Sequence, residues 1–509
     1  MISSTDVYIF PCSFVQRRLW FLEQMDPGTP AYNISGAIRI EGALNAQALQ
    51  QALDNLVQRH ESLRTSFAEV DGEPMQVVSP DAAAVIQSTD LSNLGPAARE
   101  EEAKRLLAEE SELGFDLRQA PLLRARLIRL SLSEHLLMLS LHHVVADGWS
   151  LRILLSELGD FYNAAVNGET ADLPALPFQY PDFAVWQQET LTKEALDEQA
   201  GYWRERLQGA PPLLELPLDH PRTLRQGWRG ASEPISLGPE TSANLRALCR
   251  AQGVTLFMGL LAGFQALLSR YASVPEVVVG APVAGRTQPG IEGVIGMFAN
   301  TVALRTDLSG DPTFRELLTR VRSTCLGAYQ HEDYPFERLV ELLRESAREL
   351  SHSPVVQVLF ALQEEVLKET VWAGGLRLRR EPYVARVAKF DLSLMLGEDQ
   401  ADRSITGWLE YRTELFDAWR IQRMAGHLRN LLSAAVAEPD QHLSRLSLLS
   451  DEERQQLVTG WNQNQKQFAR DICMHELFAQ QVDRTPDAIA AEHHGRQLTY
   501  AELDRRSNQ

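Results

Sequence analysis

One nine-residue stretch is the most informative part of this chain, His142-His143-Val144-Val145-Ala146-Asp147-Gly148-Trp149-Ser150. Its pattern is HHxxxDG: two adjacent histidines, three further residues and an Asp-Gly pair. Chance would fix four residues within seven in a chain of this length at roughly one in several hundred, so the motif needs structural context. The context is present, because an apolar strand-like run over 136–142 precedes the motif and a helical pattern over 151–167 follows it.

The two histidines cannot share one role. Adjacent side chains at a strand end point to opposite sides, so only one of His142 and His143 can face a cleft. An exposed neutral imidazole can take a proton from an attacking nucleophile or stabilise the charge that develops on it. Gly148 permits a tight turn, and Ser150 is expected to cap the helix over 151–167. For Asp147 we favour a structural ion pair with Arg64 over a catalytic role.

The composition is that of an ordinary globular protein with room for two to four domains. The 509 residues are 44% hydrophobic and 23% charged, which excludes a disordered tail or a small disulfide-rich protein. The formal net charge of −19 argues against nucleic acid or an anionic membrane as the partner.

The cysteines are too widely spaced for a metal site or a disulfide framework. No CxxC pair occurs among the four, Cys12, Cys249, Cys325 and Cys473. Residues 1–13 lack the pattern of a secretory leader, and the most apolar stretch, 254–268, is too short to span a bilayer. We therefore expect a cytoplasmic protein without a membrane span.

Helical and strand patterns alternate along the chain. Two proline-bearing stretches, 174–181 and 211–221, suggest a division near residue 180. On either side the periodicity predicts helices over 45–59, 254–271 and 313–329, and strands near Phe67 and over 121–130, 136–142 and 277–283.

The chain resembles the condensation domains of nonribosomal peptide synthetases, relatives of chloramphenicol acetyltransferase. The resemblance covers nearly the whole chain and rests on six ordered motifs. They are Ser13 with Gln16, Arg18, Leu19, Trp20 and Leu22; Arg59 to Phe67; His142 to Ser150; Tyr180 to Trp186; Ile295 to Thr301 with Arg305; and His331 to Glu337.

This resemblance implies an α/β (α+β two-layer) fold with two chloramphenicol-acetyltransferase-like lobes. The lobes would form a V-shaped pseudo-dimer around a central tunnel. The implied domains are an N-terminal lobe over 1–178, a C-terminal lobe over 179–450, a linker over 451–470, and the truncated start of an adenylation domain over 471–509.

The implied reaction is amide formation between an acyl donor and the α-amine of an aminoacyl thioester on a carrier protein. The resemblance assigns His143 as general base or electrostatic orienter, His142 as a buried orienter, and Asp147 with Arg64 as the pair that holds the loop. Gly148 would leave room at the reacting centre and Ser150 would support the loop. The tunnel would be lined by Trp149, Tyr32 and Asn33 on the donor side and by Asn300 and Thr301 on its floor.

The resemblance implies no metal and no cofactor bound by the domain itself. Its substrates would be carried on phosphopantetheine and on coenzyme A. The expected partners are a downstream peptidyl carrier protein and an adenylation domain of the same synthetase, and the domain is expected to be monomeric.

The donor divides two subtypes. If Met1 is the natural start, no carrier domain precedes the chain, and a starter domain that takes fatty acyl groups from coenzyme A is favoured. The product would then begin a lipopeptide. Otherwise the donor is a peptidyl thioester with an L-residue on an upstream carrier protein, as in an elongating condensation domain.

Four other assignments are less consistent with the sequence. A heterocyclisation domain would carry DxxxxD instead of the histidine pair. An epimerisation domain shares HHxxxDG but follows a carrier domain, whereas here an adenylation start follows the motif domain. That start also argues against a free-standing acyltransferase. Loss of His143 or Gly148 would mark a non-catalytic docking domain, and both are kept.

Overall fold

The computed structural model describes residues 7–223, 227–343, 353–363, 370–382, 386–463 and 471–509. They form two compact units, 1–450 and 451–509. The strands of the first unit are β1 (Tyr8–Pro11), β2 (Asn33–Glu41), β3 (Thr65–Val70), β4 (Glu73–Val78), β5 (Ile86–Asp90), β6 (Leu123–Ser131), β7 (Glu134–His142), β8 (Gly230–Ser236), β9 (Glu276–Val283), β10 (Asn300–Asp307), β11 (Val358–Leu362), β12 (Thr370–Trp372), β13 (Leu376–Glu381), β14 (Leu392–Glu398) and β15 (Ile405–Arg412).

Eleven helices in the described part of this unit cover the sheets. They are α1 (Phe14–Met25), α2 (Ala46–Arg59), α3 (Pro96–Glu112), α4 (Gly148–Asn167), α5 (Tyr180–Thr190), α6 (Lys193–Leu207), α7 (Gly238–Ala251), α8 (Leu256–Ala272), α9 (Phe314–Tyr329), α10 (Phe336–Leu342) and α11 (Ala418–Ala437).

The first lobe is a six-stranded sheet in the order β12-β13-β2-β7-β6-β5. Strand β7 is apolar along its length because both of its faces are covered. Leu137 and Leu139 pack with α2 and α4, whereas Leu136 and Met138 pack with α3. His142 has the same parity as this second pair, so the last residue of β7 lies on the α3 side.

The second lobe is a six-stranded sheet in the order β10-β9-β11-β14-β15-β8. Helix α8 is buried from Met258 to Leu268 and packs on this sheet, which explains why its sequence is almost uniformly apolar. Within the described residues no single helix is long and apolar enough to cross a membrane, and only α7 and α8 together, bent by 109°, pass by length and composition.

The α/β prediction with two lobes is confirmed, and the helices and strands expected from periodicity are present within a few residues. Helix α2 illustrates why, since Asn45 Oδ1 accepts from two backbone N–H groups of its first turn and its apolar stripe is buried. The division at 178/179 is wrong for one segment, because β12 and β13 pair onto β2 in the first lobe's sheet.

The second unit contains α12 (Asp451–Gln455), α13 (Met474–Arg484), a hairpin of β16 (Ile489–His493) and β17 (Arg496–Thr499), and α14 (Tyr500–Ser507). The predicted linker over 451–470 is wrong in its first half, because α12 continues as a π-helical turn over Gln456–Gly460. The rest of that linker, over 464–470, lies outside the described residues.

Candidate functional site

The HHxxxDG segment joins β7 to α4, and Asp147 starts the helix. Its Oδ1 accepts from the Ser150 backbone N–H at 2.8 Å, so Asp147 is the cap and the predicted capping by Ser150 is wrong. Gly148 is the first helical residue, and its φ is not in the left-handed region. A tight turn does not require this glycine, but a Cβ added there would meet no atom within 4 Å.

His142 is buried, with 1% of its surface exposed. Its Nδ1 accepts from the Val144 backbone N–H at 3.1 Å, a contact that fixes the ring at the strand end. Burial, and secondarily the positive charge of Lys389, lowers the pKa of His142 to about 3. The ring is therefore neutral at neutral pH, and its Nδ1 serves the loop rather than a substrate.

His143 is partly exposed and points away from His142. Its backbone N–H donates to Tyr32 O at 2.8 Å, and its Nδ1 lies 3.3 Å from Met297 Sδ. A thioether sulfur can only accept, so this contact favours a proton on Nδ1 and leaves the Nε2 lone pair as the base. Burial, followed by the charge of Lys389, holds the pKa of His143 well below its ordinary value.

The carboxylate of Asp147 forms a buried ion pair, but its partner is Arg286 rather than Arg64. The Arg286 guanidinium lies 3.3 Å from Asp147 Oδ1, and both side chains are nearly inaccessible. Arg64 instead pairs with Glu61 at 3.3 Å, one 3-10 turn away. The predicted Asp147–Arg64 pair is therefore wrong. The true partner follows β9 of the second lobe.

The same carboxylate ties the loop to the second lobe through the backbone. Asp147 Oδ2 accepts from Phe298 N at 3.1 Å. Ser150 Oγ accepts from Gly296 N at 3.1 Å and lies 2.7 Å from Asp147 Oδ1 and 2.9 Å from Gly296 O, which share its single proton. The HHxxxDG loop is thus fixed at the junction of the lobes.

The residues predicted to line the donor side lie in different surroundings. Tyr32 is 6.3 Å from His142, ring centroid to ring centroid. Asn33 pairs with His142 across β2 and β7, and its Nδ2 donates to Ser111 O and Leu113 O. Trp149 is 39% exposed, and its Nε1 donates to Glu292 O at 3.0 Å, a further contact between the lobes.

Asn300, predicted for the tunnel floor, is held by the backbone of the segment before α10. Its Nδ2 donates to Glu332 O at 2.7 Å and Tyr334 O at 2.8 Å, and its Oδ1 accepts from Phe336 N. Thr301 is the next residue of β10, paired with Pro282. Both amide atoms of Asn300 are therefore engaged in anchoring the chain.

A cleft lies beside the histidine loop. Met297, which contacts His143, lines it together with Phe298 and Asn300. Its other walls come from the start of α1, from α5, and from the residues around 285–288 and 332–337. Within the described ranges, no group of three or more His, Cys, Asp or Glu side chains is placed to hold a metal ion.

Sequence reasoning missed three residues of this site: Arg286, Met297 and Lys389. No local pattern marks them, because each reaches the loop across the lobe junction from far along the chain. The fifth motif does contain Met297, and that motif was the one available signal.

The family model of the condensation domain matches residues 7–458, and the chain belongs to this family. It is 44% identical over 503 residues to a protein of linear gramicidin synthase from Brevibacillus parabrevis, an alignment that covers 98% of the chain and 6% of that protein. Condensation domains of nonribosomal peptide synthetases are amide-forming acyltransferases whose substrates are carried on the phosphopantetheine of carrier proteins.

Two solved structures show the same fold. The chain is 30% identical to the X-domain in its complex with OxyB from teicoplanin biosynthesis, with a TM-score of 0.77 over 87% of this chain and 96% of that one. The starter condensation domain of rhizomide synthetase, solved as a mutant with C8-CoA and Leu-SNAC, gives 17% identity and a TM-score of 0.74 over 87% and 98%. This second likeness shows the fold alone.

Proposed function

We propose that this chain joins the acyl group of a pantetheine thioester to the α-amine of an aminoacyl thioester on a carrier protein. The observation that carries the proposal is His143, a partly exposed imidazole kept neutral beside a cleft and fixed at the lobe junction. The amine nitrogen attacks the thioester carbonyl, the C–N bond forms and the C–S bond breaks. The proton lost from nitrogen ends on the departing thiolate.

His143 has the properties this proton transfer requires. A free α-ammonium with a pKa of about 8 is a poor proton donor to a weakly basic imidazole, whereas the nitrogen of the tetrahedral adduct is far more acidic. The neutral ring can therefore accept a hydrogen bond from the attacking amine and take its proton once the C–N bond has formed. General base and orienter are then two stages of one role.

The remaining motif residues hold His143 in place. Asp147 joins the start of α4 to Arg286 and Phe298 in the second lobe, and Ser150 adds the contacts with Gly296. His142 fixes the strand end through Val144. Gly148 contributes open space where any larger residue would place a Cβ.

Two donor sources share the same pantetheine thioester chemistry. A fatty acyl-coenzyme A would make this a starter domain for a lipopeptide, and a peptidyl carrier protein would make it an elongating domain. The relative in linear gramicidin synthase supports a peptide synthetase without choosing between the two.

The test is to incubate the full chain with an aminoacyl-loaded carrier protein and, in separate reactions, an acyl-coenzyme A series and a carrier-bound peptidyl thioester. Intact-protein mass spectrometry then follows the mass of the acceptor carrier. Transfer in either arm supports the proposal and names the donor. Failure of both arms with folded enzyme refutes it.

The likeness to the X-domain favours one second candidate, a domain that docks another enzyme. That role needs no imidazole in the cleft. Retention of His143, and its placement against Met297, support catalysis instead. Loss of transfer on His143→Ala in the assay above separates the two.

We propose that residues 471–509 begin an adenylation domain and that 1–178 and 179–450 form the two lobes, with β12 and β13 exchanged into the first. The alignment to linear gramicidin synthase extends over 98% of the chain, which supports a synthetase context beyond the condensation domain. The four cysteines are free thiols, as expected in the reducing cytoplasm.

A further inference from the structure

We propose that the ammonium group of Lys389, supplied by the second lobe, is a positioning residue that sets the charge state of the two-histidine site. In this role it ensures that His143 meets the incoming amine as a neutral imidazole. The inference rests on the proposed function, because it concerns the proton that His143 takes.

The segment that carries Lys389 is held firmly at the lobe junction. Its backbone O accepts from Arg412 Nη2 at 2.8 Å, and the neighbouring Phe390 O accepts from Arg412 Nε at 3.3 Å. Ala388 N donates to Trp228 O at 2.9 Å. Arg412 is itself 2% exposed, so a buried side chain fixes the backbone from which Lys389 extends.

The side chain of Lys389 reaches the wall that the histidines share. Its Nζ lies 5.8 Å from the centroid of the Tyr32 ring, within cation–π range. Tyr32 O accepts from the His143 backbone N–H, and the Tyr32 ring is 6.3 Å from the His142 ring. Lys389 and the two imidazoles therefore border the same aromatic side chain.

A fixed positive charge at this place disfavours a second one. Lys389 is the cation that acts on both His142 and His143, and His142 is the other titratable group facing His143. Protonating either ring would bring two like charges together in a poorly solvated site. The same repulsion acts on an incoming α-ammonium, so it favours the free amine that must attack.

Lys389 itself has one acidic neighbour. Burial lowers its pKa to about 8, and the Glu410 carboxylate opposes this shift. Glu410 lies on β15 beside Ser393, whose Oγ donates to it at 3.4 Å. The lysine therefore keeps its charge on the acidic side of neutrality, where His143 would otherwise protonate. The other charged groups directed at this wall act on Tyr32 and are Arg18 of α1 and Arg412 of β15.

The test is the pH dependence of amide formation between pH 5 and 8 in single-turnover reactions of the full chain. Lys389→Met and Lys389→Gln both remove the charge, and Lys389→Arg keeps it. The matched control is Arg386→Met, which removes one positive charge from the same segment at a largely exposed side chain paired with Glu112. Thermal melting of each variant establishes that it is folded at the assay temperature.

We expect both neutral variants to move the acid limb of the rate profile upward by about one pH unit, because His143 then protonates more readily. Lys389→Arg should restore the wild-type limb, and Arg386→Met should leave it unchanged. A purely structural lysine would lower the rate without moving the limb. An unmoved limb in the neutral variants, or an equal shift in Lys389→Arg, overturns the inference.

His143→Ala in the same assay separates this inference from the proposed function. If His143→Ala keeps the wild-type rate, the proposed function fails, and the inference fails with it. If His143→Ala is inactive and the limb of the neutral Lys389 variants does not move, only the inference fails.

Discussion

Replacing Arg286 by methionine tests the ion pair that joins the HHxxxDG loop to the second lobe. The guanidinium pairs with Asp147 at 3.3 Å and donates to Ile291 O at 2.6 Å and Val294 O at 2.8 Å, and the side chain is only 3% exposed. Methionine fills similar space but leaves the carboxylate buried without its cation. Removing one partner of a buried pair costs about 3–5 kcal/mol.

This cost converts into a modest shift of Tm because the unfolding unit is large. At about 2.1 cal/mol/K per residue, a cooperative unit spanning 1–450 has an unfolding entropy of about 0.9 kcal/mol/K. We therefore expect Arg286→Met to lower Tm by about 3–5 °C. Arg64→Met is the matched control, and it should lower Tm by about 1 °C or less because its partner Glu61 is more exposed.

The assay is differential scanning calorimetry of the full chain, with Asp147→Asn and the double variant included. Because the two side chains interact directly, the double variant should be less destabilised than the sum of the single variants by about 1–3 kcal/mol. Strict additivity would refute the pair. A loss in Arg64→Met equal to that in Arg286→Met would show that the sequence-based partner was correct after all.

Three further predictions concern single residues. Gly148→Ala should keep Tm within about 2 °C, since its Cβ meets no atom, while amide formation falls because the open space is reduced; unchanged activity would contradict the role assigned to that space. The native pKa of His142, about 3, lies below its unfolded value near 6.5, so stability is lost as pH falls below about 6.5 by up to ~1.4 kcal/mol per unit. His142→Asn should flatten this slope in melts at pH 7.5 and 5.5, and an equally steep slope would argue against a buried neutral ring. Asn300→Ala should cost about 1–3 kcal/mol in denaturant unfolding because it leaves Glu332 O, Tyr334 O and Phe336 N without their partner, and a neutral effect would contradict the anchoring.

The elements predicted from the sequence are those whose cause is local. Helix α2 follows from a cap at Asn45 and a stripe of apolar residues, and β7 follows from a short apolar run that is covered on both faces. The histidine loop was found because its residues are contiguous. Both lobes were expected from the family resemblance rather than from periodicity.

The errors concern contacts between distant parts of the chain. Asp147 and Arg286 are 139 residues apart, and a nearby arginine, Arg64, was the more obvious partner by sequence. The strands β12 and β13 follow β11 of the second lobe in sequence but pair in the first lobe's sheet, which no local pattern encodes. Ser150 was taken as a cap because it precedes an apolar run, whereas Asp147 starts the helix three residues earlier.

The catalytic role of His143 is tested by the rate at which His143→Ala forms the amide. The full chain is mixed with an aminoacyl-loaded carrier protein and the donor that supports wild-type transfer, and intact-protein mass spectrometry records the acylated carrier. We predict at least a ~100-fold loss of rate, in the range typical for removing a general base, with Tm unchanged within about 2 °C. A folded His143→Ala variant that transfers the acyl group at the wild-type rate would contradict the assignment of His143 as the base.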